Sequence, residues 1–167
     1  NPIDTGVFSP PVHPRQDRTE KEIQEILYIG RIHPEKGIEL LIEAFALLSQ
    51  SLPTVKLKIV GPFQENQGGG GKAYFDRLKR KAQGLAVEFC DPIFDINQLV
   101  KFYHQADIFC YPSLADRGES FGLAPLEAMA TGLVPIVSNL DCFRDFITEG
   151  KTGYFFDHRS SNAAYNL

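Results

Sequence analysis

The chain lacks the features that mark membrane-spanning, disulfide-rich and nucleic-acid-binding proteins. It contains neither an apolar run of the roughly 20 residues that a transmembrane helix requires nor a charged-then-apolar leader. Its 3 cysteines are odd in number and two lie in or beside apolar runs, so we expect reduced thiols. The net charge of −4 comes without a basic stripe, which argues against a nucleic-acid partner. These absences favour a soluble cytoplasmic domain.

Metal-binding and nucleotide-binding fingerprints are missing as well. The four histidines are His13, His33, His104 and His158. They show no metal-ligand spacing, so we expect no metal cofactor. A phosphate-binding P-loop would need glycine and a hydroxyl residue where the chain has Asn66 and Ala73. The dinucleotide fingerprint Gly-x-Gly-x-x-Gly is absent too, because Ile32 and Glu35 occupy its later positions, which disfavours a dehydrogenase.

Apolar strand-like runs alternate with helical runs along the chain, which predicts an α/β fold with a parallel sheet. The predicted strands lie near residues 26–30, 57–61, 87–90, 107–112, 134–138 and 153–156. The predicted helices lie near residues 37–50, 72–83, 95–105, 121–131 and 141–148. These helix lengths suit right-handed crossovers. We therefore expect a Rossmann-like, doubly wound sheet of about six strands.

One compact domain accounts for the length and for the 43% hydrophobic content. Residues 1–19 are proline-rich and are interpreted as a linker or edge extension, so that the domain itself spans residues 20–167. The segment 64–71 ends in four glycines and predicts a mobile surface loop, because consecutive glycines lose the most entropy on ordering. The tail from Ser160 is expected to be frayed.

The segment from Glu119 to Glu127 predicts a ligand site at the start of a helix. The apolar run 107–113 before it is typical of a buried strand, and Pro125 fits only the first turn of a helix. Free backbone N–H groups there can hold an anion, while the two flanking carboxylates accept hydrogen bonds from hydroxyls. These N–H groups include those of Gly122, Leu123 and Ala124. A ligand with both phosphates and hydroxyls is a nucleotide or a nucleotide sugar.

A second ligand-facing segment runs from Gly30 to Gly37, between an apolar strand and an amphipathic helix. Ligands of open parallel sheets bind outside the carboxyl ends of the strands, which is where Arg31 emerges. Lys36 lies at the start of the following helix, so two cations are expected to converge on this edge. Hydrogen bonds to charged groups contribute about 1.5–3 kcal/mol each, enough to anchor a diphosphate without a metal ion.

Each of these charged residues also has a purely structural alternative. Glu127 could interact only with the helix dipole, and Glu119 could be solvated or paired with Arg117. Arg31 and Lys36, taken singly, are typical surface cations. Their joint position at one edge of the sheet favours the ligand-binding interpretation.

Together these motifs resemble the donor-binding half of a retaining GT-B glycosyltransferase of the glycosyltransferase family 4 type. The matching segments are Gly30–Arg31, Lys36–Gly37, Glu119–Glu127, Ala128–Gly132, Asn1–Asp4 and the Gly-x-Thr-Gly turn at Gly150–Gly153. The resemblance therefore covers nearly the whole chain. One departure is Leu140–Arg144, which stands where the family usually has a Gly-Gly stretch.

The resemblance implies roles for individual residues. Arg31 and Lys36 would hold the donor diphosphate, Glu127 would accept from ribose hydroxyls, and Glu119 would contact the transferred sugar. Arg31, Lys36 and Glu119 are thereby the candidate catalytic residues. The other implied donor-binding positions are Gly30, Ile93, Phe121, Gly122, Leu123 and Ala124, with the main chain near Ile93 meeting the base. The family also has an N-terminal acceptor domain, whose absence here implies a fragment unable to transfer a hexosyl group alone.

Two other functions fit parts of the sequence. The same site could sense a nucleotide sugar, or act as a scaffold, without transferring the sugar. Alternatively, Gly118–Gly122 matches the Gly-x-Ser-x-Gly nucleophile elbow around Ser120, with Asp145 and His158 downstream as in α/β serine hydrolases. The elbow must follow a strand end directly, whereas residues 113–117 intervene here, so a hydrolase is disfavoured.

Overall fold

A computed structural model describes residues 3–12, 23–115, 119 and 122–167 of the chain. The described residues form one six-stranded sheet in which every pairing is parallel. The strands are β1 (Glu25–Ile29), β2 (Lys56–Val60), β3 (Val87–Cys90), β4 (Ile108–Tyr111), β5 (Val134–Ser138) and β6 (Tyr154–Phe156). All six predicted strands are present, each within one residue of its expected bounds.

The strand order β3-β2-β1-β4-β5-β6 confirms the predicted doubly wound, Rossmann-like sheet. From β1 the chain moves outward through β2 to β3, then crosses to the other side of β1 to add β4, β5 and β6. The order therefore reverses between β1 and β4. Ligands of such sheets bind outside the carboxyl ends of the strands at this reversal point.

The described part of the chain contains six α-helices, of which five lie between strands and the sixth follows β6. They are α1 (Ile38–Ser51), α2 (Gly71–Lys81), α3 (Ile96–Gln105), α4 (Leu123–Ala130), α5 (Asp141–Arg144) and α6 (Ala163–Asn166). The predicted helix 141–148 is wrong in length, since only one turn forms. The Thr148 N–H bonds the Thr152 side-chain oxygen instead of continuing the helix, and the chain turns there toward β6.

The glycine-rich segment 64–71 is exposed over residues 64–67, as expected of a surface loop, whereas Gly69 and Gly71 are buried. Its mobility stays a prediction. Two of its backbone N–H groups donate to carbonyls outside the segment, Gly70 to Ile32 at 2.8 Å and Gly71 to Phe63 at 2.8 Å. Gly69 is buried against the Phe63 backbone, where a Cβ atom would clash. The glycines are needed because the backbone lies this close to its neighbours.

Both ends of the described chain pack on the domain. Phe8 is 6% exposed and its ring meets that of Tyr103 edge-on, so segment 3–12 lies along α3. The tail forms α6 against α1 instead of fraying, because Ala163 is buried there. The boundary at residue 19 stays a prediction. Among the described helices, none is both long and apolar enough to span a bilayer.

Candidate functional site

The loops that follow β1 and β4 meet at the reversal point of the sheet. A short 3₁₀ turn, Pro34–Lys36, ends at Gly37, whose φ of 67° lies in the left-handed region that glycine accepts without strain. The Leu114 N–H donates to the Glu35 carbonyl at 2.7 Å and ties the two loops together. The sheet order thus brings the two predicted ligand-facing segments side by side.

Lys36 and Glu119 form a nearly buried ion pair across this junction. The Lys36 Nζ lies 2.6 Å from Glu119 Oε2, and the two side chains are only 7% and 8% exposed. The Ser113 hydroxyl donates to the same carboxylate oxygen at 2.7 Å, and the Lys36 ammonium lies 5.5 Å from the centre of the Tyr111 ring. Both residues were predicted to bind ligand, and the structure brings them together. Arg117, the alternative partner of Glu119, lies outside the described residues.

Two buried tyrosines, Tyr111 and Tyr28, lie near the Glu119 carboxylate. Burial, followed by the charge of Glu119, raises the pKa of Tyr111, while Arg31 acts in the opposite direction. Burial likewise raises the pKa of Tyr28. Both phenols therefore keep their protons at neutral pH, and the Tyr111 hydroxyl can donate toward Glu119 Oε1 at 3.5 Å. The acid is held from several sides and its position is fixed before any ligand arrives.

Arg31 lies on the outer side of the same loop and is 45% exposed. Its guanidinium donates to Glu35 Oε1 at 2.6 Å and to the Gly68 carbonyl at 2.9 Å. In the described ranges no contact joins it to Lys36 or Glu119. The two cations therefore share the loop after β1, as expected, but their side chains do not meet. A guanidinium has five N–H donors, and these two bonds leave others for a ligand.

Glu127 lies in α4 and bonds to a tyrosine that the sequence reasoning missed. The Tyr103 hydroxyl donates to Glu127 Oε2 at 2.8 Å. Burial raises the pKa of the Glu127 carboxyl, and the Tyr103 hydrogen bond partly offsets that rise. Burial and the charge of Glu127 raise the pKa of Tyr103, which keeps it a donor. Glu127 therefore pairs with more than the helix dipole.

Replacing Glu127 with glutamine is expected to stabilise the unliganded fold at neutral pH. The raised pKa means that the folded state holds the Glu127 proton more tightly than the unfolded chain. Stability from this group is complete below the unfolded pKa and is lost as the pH rises through the folded pKa. Glutamine stays neutral and can still accept from Tyr103. Urea unfolding should show a higher free energy for E127Q at pH 7 and a gap that shrinks as the pH falls.

The exposed Glu65 provides the control for that experiment. E65Q removes a carboxylate outside this cluster and should not reproduce the pH-dependent gap. A variant E127Q that is less stable than the wild type at every pH would contradict the expectation, because it would mean that the carboxylate itself stabilises the fold.

A polar cavity of about 260 Å³ opens beside Glu119, beyond the carboxyl ends of β4 and β5. Its lining residues are Ala115, Glu119, Asn139, Leu140, Asp141, Cys142 and Arg159. The stretch that departs from the Gly-Gly pattern therefore forms one wall of the cavity and leaves room for a small polar group. Sequence reasoning missed Asn139 and Arg159, although both follow strand ends on the ligand-binding side.

No shared contact joins the remaining predicted positions among the described residues. Gly30 lies against the Tyr28 and Tyr111 rings, where a side chain would clash. Gly122 caps α4 with a φ of 68°, and the Ala124 carbonyl faces the Tyr103 hydroxyl at 3.3 Å. The other positions are Leu123, which is 41% exposed, Ile93 in the loop after β3, and Phe121, which lies outside the described residues together with Ser120.

The described residues contain no group of three His, Cys, Asp or Glu side chains placed to hold a metal ion. The three cysteines are free, and only Cys110 is fully buried.

A family model for "Glycosyl transferases group 1" matches residues 12–166. The phosphatidyl-myo-inositol mannosyltransferase of Mycobacterium tuberculosis is 34% identical over 145 residues, which are 85% of this chain and 33% of that protein. The D-inositol 3-phosphate glycosyltransferase of Corynebacterium glutamicum is 31% identical over 173 residues, covering 96% of this chain and 39% of that protein. The chain thus spans between a third and two fifths of the length of these relatives.

Among solved structures, the chain resembles the C-terminal domain of a glycosyl transferase group 1 family protein (LpcC) from Francisella tularensis. The TM-score is 0.73 with 25% identity, and the match covers 98% of this chain and 84% of that one. The six-stranded fold is accordingly that of C-terminal domains of GT-B glycosyltransferases.

Proposed function

The chain belongs to the glycosyl transferases group 1 family, and from this we propose that it is the domain that binds the nucleoside-diphosphate-sugar donor of a retaining, family 4 type glycosyltransferase. The supporting observation is the buried Lys36–Glu119 pair at the reversal point of the sheet, with a polar cavity beside the acid. An ion pair that is less than a tenth exposed is costly to build, so stability alone does not explain it. The ligand-binding interpretation does explain it, because the pair holds a cation and an acid in place for a polar ligand.

In this proposal each part of the donor is bound by a different residue of the junction. Lys36 donates one of its three ammonium N–H groups to Glu119, and the other two can donate to the diphosphate. Arg31 binds the same diphosphate from the outer side. Glu119, held by Ser113 and Lys36, accepts a hydrogen bond from a hydroxyl of the transferred sugar, which occupies the cavity. Glu127 accepts from the ribose.

The remaining contacts come from backbone groups. The N–H groups at the start of α4, from Gly122 to Ala124, would bind phosphate or sugar oxygens, and the main chain near Ile93 would meet the base. Phe121 is proposed to share this role. As the bond to the sugar breaks, negative charge develops on the nucleoside diphosphate, and the fixed cations stabilise it without a metal ion.

Transfer of a hexosyl group also needs an acceptor site, which we propose is supplied by a second domain. The matched relatives are two and a half to three times as long as the region they share with this chain. We therefore expect the chain alone to bind donor and to transfer little or nothing. Supplying a partner domain should restore transfer, whereas a protein that only senses nucleotide sugars would remain inactive.

Calorimetric titration with UDP, GDP and ADP sugars tests the binding function directly. One base is expected to bind most tightly, and its diphosphate should bind better than the free nucleoside, because the cations contact the phosphates. If none of these ligands binds, the proposed function is wrong. A serine hydrolase would instead lose all ester hydrolysis on Ser120→Ala, whereas a nucleotide-sugar-binding domain would keep its ligand.

Arg31→Ala should weaken diphosphate binding about tenfold, the lower end of the about 1.5–3 kcal/mol that a hydrogen bond to a charged group contributes, because Arg31 is 45% exposed. Arg77→Ala is the matched control, because Arg77 is also a half-exposed arginine paired with an acid, Glu39, but lies on α2. The Arg77→Ala substitution should not change the diphosphate affinity measured by calorimetry. Equal affinities for the wild type and the Arg31→Ala protein would refute the role given to Arg31.

A further inference from the structure

A buried tyrosine holds the acid that we place at the ribose. Tyr103 lies on α3, is 0% exposed, and directs its hydroxyl to Glu127 Oε2 at 2.8 Å. A hydroxyl has one proton to donate, so it can serve only one acceptor at a time. The Ala124 carbonyl lies farther away, at 3.3 Å, and the ionised carboxylate is the stronger acceptor.

The ring of Tyr103 is fixed by its neighbours. Phe8 meets it edge-on with ring centres 6.1 Å apart, and Phe109 packs against it at 5.7 Å. Because a ring clamped by two aromatic neighbours has little rotational freedom, its oxygen marks a fixed point in space. A carboxylate that bonds to this point loses the rotamer freedom that glutamate otherwise keeps.

We propose that Tyr103 is a positioning residue for nucleotide recognition: it pins one oxygen of Glu127 so that the other faces the ribose hydroxyls of the donor. The inference rests on the proposed donor-binding function. Within the described residues, Glu127 Oε1 has no hydrogen-bond donor, while Oε2 is occupied by Tyr103. Pre-orienting an acceptor improves affinity because less conformational freedom is lost on binding.

The contact also explains why position 103 is a tyrosine and not a phenylalanine. A carboxylate that is half-buried beside apolar α4 residues is costly unless a donor compensates for it. A phenylalanine at position 103 would fill the same space without that compensation. The tyrosine hydroxyl therefore serves the acid of the site more than the packing around it.

Tyr103→Phe separates the two roles, and Tyr74→Phe is its control. Tyr74 is also buried, at 6% exposed, and its hydroxyl has no hydrogen-bond partner in the described part of the chain. Each variant is titrated calorimetrically with the tightest-binding nucleoside diphosphate, with its 2′,3′-dideoxy analogue and with pyrophosphate. The same titrations are repeated on Glu127→Gln and on the Tyr103→Phe/Glu127→Gln double variant.

Tyr103→Phe should weaken the nucleoside diphosphate about tenfold and leave the dideoxy analogue and pyrophosphate unchanged. The Tyr103→Phe substitution should cause no further loss when Glu127 is already glutamine, because the carboxylate that Tyr103 positions is then absent. Two substitutions that act through the same group are not additive. Tyr74→Phe should change no affinity. Phe8→Leu provides a second variant, which keeps the hydroxyl but loosens the ring, and should show a smaller loss with the same ligand pattern.

Three results distinguish the possible failures. If the wild type shows no preference for ribose-containing ligands, or Glu127→Gln leaves that preference intact, the ribose site of the proposed function is wrong. If the preference exists and depends on Glu127, but Tyr103→Phe and Phe8→Leu leave it unchanged, only the positioning role is overturned. A loss of equal size for pyrophosphate overturns it too, since that pattern indicates general loosening of the fold.

Discussion

Lys36→Met should lower the free energy of unfolding by about 3–5 kcal/mol and weaken nucleoside-diphosphate binding about 100-fold. Methionine fills a similar volume, so the substitution removes the charge more than the packing. It leaves the Glu119 carboxylate, which is 8% exposed, without its cation. An unpaired charge in that setting costs far more than the intact pair contributes.

The binding loss has two sources that act together. The diphosphate loses a direct cationic partner, and it also approaches Glu119 without the charge that neutralises this acid. Ser113 still donates to Glu119, which places the expected destabilisation toward the lower end of its range. Urea unfolding measures the stability change, and calorimetric titration of the tightest-binding nucleoside diphosphate measures the affinity.

Lys58→Met is the matched control for this prediction. Lys58 forms an ion pair with Glu25 at 2.9 Å, with side chains 18% and 16% exposed, but the pair lies on β1 and β2 away from the β1–β4 loops. Its loss should lower stability and leave the ligand affinity unchanged. If Lys36→Met binds the nucleoside diphosphate like the wild type, Lys36 has only a structural role and the proposed diphosphate contact is wrong.

The sheet and the location of the site could be predicted from the sequence because both depend on local patterns. Apolar runs such as 107–112 separate cleanly from amphipathic segments, and their alternation leaves few topologies. Once the strand order is fixed, charged residues in the loops that follow β1 and β4 must share one edge. Arg31, Lys36 and Glu119 are placed by this rule alone.

The partners of those residues could not be predicted, because they are far apart in sequence and depend on side-chain geometry. Lys36 and Glu119 are 83 positions apart, and the Tyr103–Glu127 hydrogen bond joins α3 to α4. Nothing in the local pattern of α3 distinguishes Tyr103 from an ordinary core aromatic. The close contact of Gly70 with Pro34 could not be predicted for the same reason, since it too joins residues far apart in sequence.

Gly37→Ala should be among the most destabilising single substitutions in the chain and should also abolish donor binding. Gly37 has a φ of 67°, which costs an L-residue about 1–2 kcal/mol. A Cβ atom there would also lie closer than 3.0 Å to the Pro112 carbonyl oxygen, a backbone atom that no rotamer change can move. Overpacking of this kind adds about 1–3 kcal/mol, so we expect a loss of about 3 kcal/mol or more.

The clash acts on the site because Gly37 and Pro112 hold the loops that carry Lys36 and Ser113. Relief requires the two loops to separate, which lengthens the Lys36–Glu119 contact of 2.6 Å and opens the junction. Gly84→Ala is the control: Gly84 has a φ of 82° but no atom within 4 Å of an added Cβ. It should cost only the backbone strain and leave calorimetric affinity unchanged. If the two variants lose equal stability and both bind the nucleoside diphosphate normally, close contact between the loops does not maintain the site.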